Sequence, residues 1–532
     1  MSQYRKIIYK LLSTVILTVF SIQPLMAHES SVHEKTSIEN LVLPITIAHP
    51  DETGLYVLEK GGNALLARGW LADRATKSID VQYFIWSTDN IGKLAAEALL
   101  RAAERGVYVR VLVDDLLIDA KPDELFAMAY HPNIEIRVYN PVHSVGVNFL
   151  ERYTHLALNF RGSNQRMHNK MFVVDNLIAI TGGRNMEAQY FDFGHKYNYR
   201  DRDVLLVGDV IPELADTFEE FWNDDLAKPV ERLIRNPFQS DVEWKPEDEW
   251  GDEIIVAHDE LQDKLDQVTQ KRVNSIYKSL HAYAKDESNY SLSVRKSMHQ
   301  INHNIDEIIH SAYWLDAVFI SDRPGKNNTW FNFSMGGGGE STNALARLVN
   351  SARSSILIQS PYLVLSSDAW DIFKAALARG VEIRINTNSL AASDNLPAFS
   401  GYSSQIDELL DAGVEVYEYR PDAKIRHELV KQYSQYKELP IFSLHAKTMI
   451  VDDSIVYIGT FNLDPRSENL NTEVGIITKH ADLAQAIIRE IETDMAEGNS
   501  WNIKKDGENN DTSFFKRSEL FLWKLLPLDS IL

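Results

Sequence analysis

Short apolar runs alternate with amphipathic helical segments along most of this chain, and they do so twice in the same order. Ser78-Ile-Asp-Val-Gln-Tyr-Phe84 and Ser355-Ile-Leu-Ile-Gln-Ser-Pro361 read as buried strands with matching entry. Ala103-Glu-Arg-Gly106-Val-Tyr-Val-Arg-Val111 and Ala378-Arg-Gly380-Val-Glu-Ile-Arg-Ile385 each read as a helix end, a glycine C-cap and an alternating strand. Ile134-Glu-Ile-Arg-Val138 and Val414-Glu-Val-Tyr417 add a further strand to each series, and a closing helix is expected near 211–222 and 481–495. Ser78 and Ser355 stand 277 positions apart, Gly106 and Gly380 274. That period is far too long for a solenoid unit. The pattern predicts an α/β fold: two repeated α-β-α domains, a mixed sheet in each, and a site where they meet.

The repeat carries chemistry. His168-x-Lys170-x4-Asp175 is followed by Gly182-Gly-Arg-Asn185, and His445-x-Lys447-x4-Asp452 by Gly459-Thr-Phe-Asn462. The two histidines are again 277 apart. Each pair opens an apolar strand, Met171-Phe-Val-Val174 or Thr448-Met-Ile-Val451, whose alternation puts positions i and i+2 on one face. Histidine and lysine therefore point into one space. Two such pairs together would supply a nucleophile, a proton donor and a cationic clamp around one phosphate. Asn185 and Asn462 are candidate neutral donors to it. One imidazole must be neutral and the other charged at the same pH, which calls for orienting carboxylates. Asp203 and Glu473, each at the start of the strand after its motif, are the candidates. Asp175 and Asp452 complete the candidate catalytic set, but fall on the turn side, where a structural role is expected. Spacing alone leaves open which histidine attacks.

The rest of the chain divides around these halves. Arg5, Lys6 and Lys10, an apolar run over 11–22 and Pro24-Leu-Met-Ala27 read as an export signal over 1–27, cleaved or kept as an anchor. The first domain is expected over 28–225 and the second over 341–500. Residues 226–340 read as an insertion without counterpart, ending in the glycine run 336–339, a linker or a covering loop. Within it, His299 and His303 share a predicted helical face, with His310 further on; surface histidines are the expectation, and no metal or cofactor is called for. The segment 501–532 is an amphipathic tail, able to pack on its own domain or to lie in a bilayer interface.

Composition narrows the partners. The formal charge is −22, and −25 once the three basic residues of the leader are removed. Phosphate-backbone binding needs clustered Lys and Arg, so a nucleic-acid partner is not expected. The chain has no cysteine, which excludes disulfides and thiolate chemistry and suits an exported, periplasmic protein or one peripheral on the bacterial membrane.

The doubled motif identifies the chain as a member of the phospholipase D superfamily. Ser78-Ile-Asp-Val-Gln-Tyr-Phe-Ile-Trp86, Arg166-Met-His-Asn-Lys170, Asn388-Ser-Leu-Ala-Ala392, Gly401-Tyr402, Ser443-Leu-His-Ala-Lys447, Phe461-Asn-Leu-Asp-Pro-Arg-Ser467 and Leu525-Leu-Pro-Leu-Asp529 resemble its cardiolipin synthase C branch. The resemblance implies metal-independent phosphatidyl transfer between phospholipids at a membrane surface through a phosphohistidine. Phosphatidylglycerol is the implied substrate, with phosphatidylethanolamine a further donor. It also implies that His168 attacks and His445 serves as acid and base. A hydrolytic phospholipase D is the alternative, ahead of a phosphodiesterase or nuclease and a non-catalytic lipid-binding protein.

Overall fold

The computed structural model describes residues 37–118, 121–141, 165–194, 196–238, 253–290, 294, 307–326, 338–429, 439–507 and 512–524. The leader over 1–27, His299, His303, the glycines at 336 and 337 and the tail segment 525–529 lie outside them.

Residues Ile38–Leu532 form one compact unit built on two large sheets. Across the first, the strands run Ala227–Pro229, Ile134–Tyr139, Tyr108–Ile118, Ser78–Trp86, Met171–Val174, Ile178–Gly182, Asp203–Gly208, Thr53–Leu58 and Tyr313–Leu315. Across the second they run Ser500–Asn502, Glu415–Tyr419, Glu382–Asn388, Ser355–Gln359, Lys447–Val451, Ile455–Gly459, Val474–Lys479 and Ala317–Ser321. Read this way, the first eight strands of the one match the eight of the other, position for position. In each, three central strands are parallel and the motif strand joins them antiparallel. Both sheets are therefore mixed, as the repeat predicts.

Helices lie over the parallel strands, whose largely buried residues are apolar apart from polar groups such as Asp80, Gln82 and Asn386. Gly106 and Gly380 sit at φ 95° and 87°, a left-handed conformation that lets each preceding helix stop and its strand begin at once. Outer helices Gly61–Arg74 and Asn90–Glu104 cover the first sheet, and Glu340–Ser351, Ser367–Ala378 and Leu396–Asp411 lie in the second half. Between the sheets lie Ile211–Trp222 and Ala481–Met495. Their apolar faces share one cluster, with Leu206, Phe218 and Phe221 from the first half and Ile450, Ile476 and Ile491 from the second. This shared core holds the halves together.

Three strands fall inside the stretch expected to be an insertion. Ala227–Pro229 and Tyr313–Leu315 extend the first sheet, and Ala317–Ser321 is already the edge of the second. The remainder includes the long helix Glu253–Lys285, which lies along Asn90–Glu104 and places His281 on Glu97 and Glu104. His310 is exposed. The C-terminal helix Phe514–Lys524 packs beside Leu396–Asp411, with the Lys516 ammonium on the carbonyls of Ala391 and Ser393, yet Phe521 and Leu522 stay 63% and 62% exposed. Among the described residues, no helix is long and apolar enough to cross a membrane.

The aspartates that end the two motifs serve turns. Asp175 accepts from the amides of Thr76, Lys77 and Ser78 and from the Thr76 hydroxyl; Asp452 accepts from the amides of Arg353, Ser354 and Ser355. Each thus clamps the start of the strand that pairs with the motif strand, Ser78–Trp86 or Ser355–Gln359, to the end of that motif strand. Each is also left-handed, at φ 54° and 50°, a conformation Asp tolerates better than most residues. Asp175 is buried and its four donors are part-buried, so Asp175→Ala is expected to cost about 2–4 kcal/mol in urea unfolding. Asp452→Ala, where water reaches the freed amides, is expected to cost about 1–2 kcal/mol. Burial alone would raise the Asp452 carboxyl, but its amide and hydroxyl donors outweigh it and hold it at about 2, below the ordinary 3.8. Its contribution is therefore complete above about pH 4. The gap between wild type and Asp452→Asn should narrow as pH falls towards 2.

Candidate active site

Each motif strand touches the opposite half before it enters its own sheet. Arg166–Met167 pairs in parallel with Asn471–Thr472, and the His168 amide donates to Thr472 O at 3.1 Å. Ile441–Leu444 pairs in parallel with Tyr197–Arg200, and the His445 amide donates to Arg200 O at 2.7 Å. Asp114 fixes the first crossing, accepting from the Met167 amide and the Arg166 guanidinium. Arg202 ties the halves together from the side, with Glu59 on one hand and Thr448 and Gln359 of the second half on the other.

The crossing exchanges carboxylates. His168 Nδ1 lies 2.8 Å from Glu473 Oε2, and His445 Nδ1 lies 2.6 Å from Asp201 Oδ2. Each imidazole is thus oriented through Nδ1 by a residue of the other half, which turns Nε2 of each ring away from that carboxylate. Both histidines are buried, at 6% and 5% exposure. Lys170 Nζ donates to His168 O at 2.8 Å, and Lys447 Nζ lies 2.8 and 3.1 Å from the two ring nitrogens of His445.

Glu473 occupies the expected orienting position; Asp203 does not. Asp203 Oδ2 receives the Arg68 guanidinium at 2.8 Å and its Oδ1 the Arg184 amide, deep in the first half. The pairing register explains the difference. Gly182 pairs with Asp203, and Gly459 pairs with Gly475, so Asp203 corresponds to Gly475, and Asp201, two residues earlier, corresponds to Glu473. The two carboxyls correspond once the strands are aligned by the pairing of Gly182 and Gly459 instead of by their first charged residue. Asn185 also departs from its expected role. Its carboxamide accepts from the Ile85 amide and donates to Tyr190 Oη, which lies 3.5 Å from His445 Nε2, so it positions Tyr190. Asn462 is buried three residues past Gly459, which pairs with Lys447, and its backbone N–H donates to Ser467 Oγ. Tyr190 and Tyr199, with ring centroids 5.0 Å from that of His445, carried no signal in the motif spacing.

Burial and crowding of like charge set the protonation of the site. Burial, then Lys170, Lys447 and His445 itself, hold His168 well below the usual histidine range. Burial and Lys447 take His445 down to about 4, against the pull of Asp201. Burial and Lys447 lower Lys170 to about 7, and burial lowers Lys447 to about 8, against Asp201 and Glu473. The carboxyls diverge. Burial pushes Glu473 up to about 8, whereas at Asp201 the charges of His445 and Lys447 overcome burial and hold it well below the usual carboxylate range. Such a pocket suits an anion, whose charge would relieve the repulsion between the two ammonium groups.

The corrected assignment is testable. Asp201→Asn should keep the fold and cut activity about tenfold or more, because its role is to orient and charge an imidazole. Asp203→Asn should instead cost about 3–5 kcal/mol in denaturant unfolding, since it leaves the buried Arg68 without its ion pair.

Known proteins resemble the chain over both halves. The profile described as "Cardiolipin synthase, PLD-like domain" matches residues 71–222 and 345–495, the two halves. Cardiolipin synthase C of Escherichia coli K12 is 32% identical over 522 residues, covering 93% of this chain and 99% of that protein. The major cardiolipin synthase of Bacillus subtilis is 22% identical over 423 residues, 79% of this chain and 64% of that protein. Among solved structures, the phosphatidylserine synthase of Haemophilus influenzae superposes with a TM-score of 0.54 at 17% identity, covering 90% of this chain and 95% of that one, a likeness of fold. A doubled motif meeting across two matched sheets, with relatives of this kind over nearly the full length, makes the chain an enzyme of the phospholipase D superfamily, in its PLD-like cardiolipin synthase family.

Proposed function

We propose that the enzyme moves a phosphatidyl group from one phospholipid to a hydroxyl of another, as the names of its relatives suggest, through a phosphohistidine. The observation that carries the reading is the pair of imidazoles, each with Nδ1 on a carboxylate of the opposite half. His168 Nε2 attacks phosphorus; the P–N bond forms as the bond to the leaving oxygen breaks, and His445 delivers a proton to that oxygen. In the second step the acceptor hydroxyl gives its proton back to His445 and displaces His168. Lys170 and Lys447 stabilise charge on the phosphoryl oxygens, with Asn462 beside them.

The division of labour between the histidines is supported by their carboxyls. An ionised Asp201 pulls His445 towards the protonated form an acid needs, against burial and Lys447, which take it to about 4 until a phosphodiester charge offsets the ammonium. Glu473, pushed upward by burial, gives His168 less cationic character, as a nucleophile needs. The substrate we assign is phosphatidylglycerol, with phosphatidylethanolamine as a further donor, at a membrane surface. We also place the enzyme outside the bacterial cytoplasm, on the leader-like pattern of residues 1–27.

Purified protein with phosphatidylglycerol vesicles is expected to yield cardiolipin and glycerol, and a chelator should leave the rate unchanged. Phosphatidic acid as the sole lipid product would move the assignment to hydrolysis. His168→Ala and His445→Ala should each lower turnover on the order of 10³-fold or more, and retained turnover in either would remove the two-imidazole mechanism.

A further inference from the structure

The walls on the two sides of the site differ in chemistry. Beside His168 stand the Phe84 ring, 4.9 Å away edge-on, and the charges of Lys170 and Arg466. Beside His445 stands a tyrosine wall. Tyr190 and Tyr199 pack 4.6 Å apart, each with its ring 5.0 Å from the imidazole. Tyr199 Oη donates to Asp394 Oδ2 at 2.8 Å, and Tyr362 Oη reaches both oxygens of Asp394 at 3.2 Å. Asp394 is exposed while Tyr199 is buried, so the carboxylate stands where the buried imidazole gives way to solvent. Lys516 of the C-terminal helix puts its ammonium on the carbonyls of Ala391 and Ser393, bracing the loop that carries Asp394.

Hydrogen-bond arithmetic fixes what this wall can bind. A phenol has one proton, and Tyr199 and Tyr362 commit theirs to Asp394; burial and the Asp394 charge hold both phenols well above their usual range, so those protons stay in place. At Asp394 the wall therefore presents acceptors, the two phenol oxygens and the unfilled lone pairs of the carboxylate, while Tyr190 keeps its own proton on the side of His445 Nε2, 3.5 Å away. Glu187, pushed up to about 7 by burial and by Asp89 and Asp394, adds a further acid group nearby. In-line displacement by His168 places the leaving alcohol, and later the incoming one, on the His445 side.

We propose that Asp394, held by Tyr199 and Tyr362, is the specificity residue for the alcohol exchanged at phosphorus, and that its subsite takes a small head-group alcohol carrying additional hydrogen-bond donors, hydroxyl or ammonium. The proposal rests on the transfer reading above, with His445 serving the exchanged alcohol. The test uses the full chain with vesicles of phosphatidyl-p-nitrophenol as donor and glycerol, ethanolamine or 1-propanol as acceptor. Propanol has one hydroxyl and nothing more for the wall to hold, so it is the internal reference, and a ratio of transfer products does not depend on how much protein is folded. Asp394→Ala is expected to lower the glycerol-to-propanol or ethanolamine-to-propanol ratio roughly tenfold or more, the effect of losing a charged hydrogen-bond partner. Asp394→Asn separates the two sources: a fall for ethanolamine alone points to an ammonium head group, and an equal fall for glycerol points to a polyol. Ratios unchanged in Asp394→Ala would overturn the proposal and leave Asp394 as a loop anchor. A wild-type enzyme that releases p-nitrophenol but forms no phosphatidyl-alcohol would instead remove the transfer reading, and this subsite with it.

Discussion

The exchange of carboxylates between halves is the constraint on which the site depends. Neither half holds a complete histidine pair: His168 needs Glu473, and His445 needs Asp201. The strands that carry the histidines are anchored the same way, each in parallel with a strand of the opposite half. Docking of the halves and assembly of the site are therefore one event. The shared apolar core, with Ile211–Trp222 and Ala481–Met495 between the sheets, supplies burial for that docking, and each large side chain placed there contributes about 1.5–3 kcal/mol. Arg202, bonded to both halves, adds direction that apolar packing alone lacks.

This arrangement also accounts for how two ammonium groups can be buried side by side. Burial and mutual repulsion lower both lysines, to about 7 and 8, so in the absence of an anion the pocket sits close to the edge of losing a proton. A phosphodiester entering between them would reverse that tendency, and the interaction is strong because both ammonium groups are buried. The electrostatic cost of assembling the site is in this way converted into preference for a phosphate.

Much of this was legible in the residues, because duplication provides its own internal control. The repeats at Ser78 and Ser355, Gly106 and Gly380, and the two motifs locate the three parallel strands and the motif strand of each sheet. What was not legible depended on register or on three dimensions. Asp203 stands at the start of a strand, as Glu473 nearly does, and only the pairing of Gly182 and Gly459 shows that Asp201 is the counterpart. Short edge strands such as Ala227–Pro229 and Tyr313–Leu315 have no periodicity to read, since three residues cannot establish a period of two. The tyrosine wall gathers residues 190, 199 and 362 from separated segments, and no linear spacing announces it.

The departures from symmetry are as informative as the repeat. Two equivalent imidazoles would be poorly suited to a reaction that needs one to attack and the other to carry a proton. The halves differ where that matters. Asp201 is held ionised by His445 and Lys447, whereas Glu473 is pushed to about 8. Phenols and Asp394 line one side, Phe84 and cationic groups the other. Because the two imidazoles lie within each other's electrostatic reach, these differences would act on a single phosphate in the proposed reaction. A duplicated scaffold supplies the geometry, and divergence of a few residues around it assigns the roles.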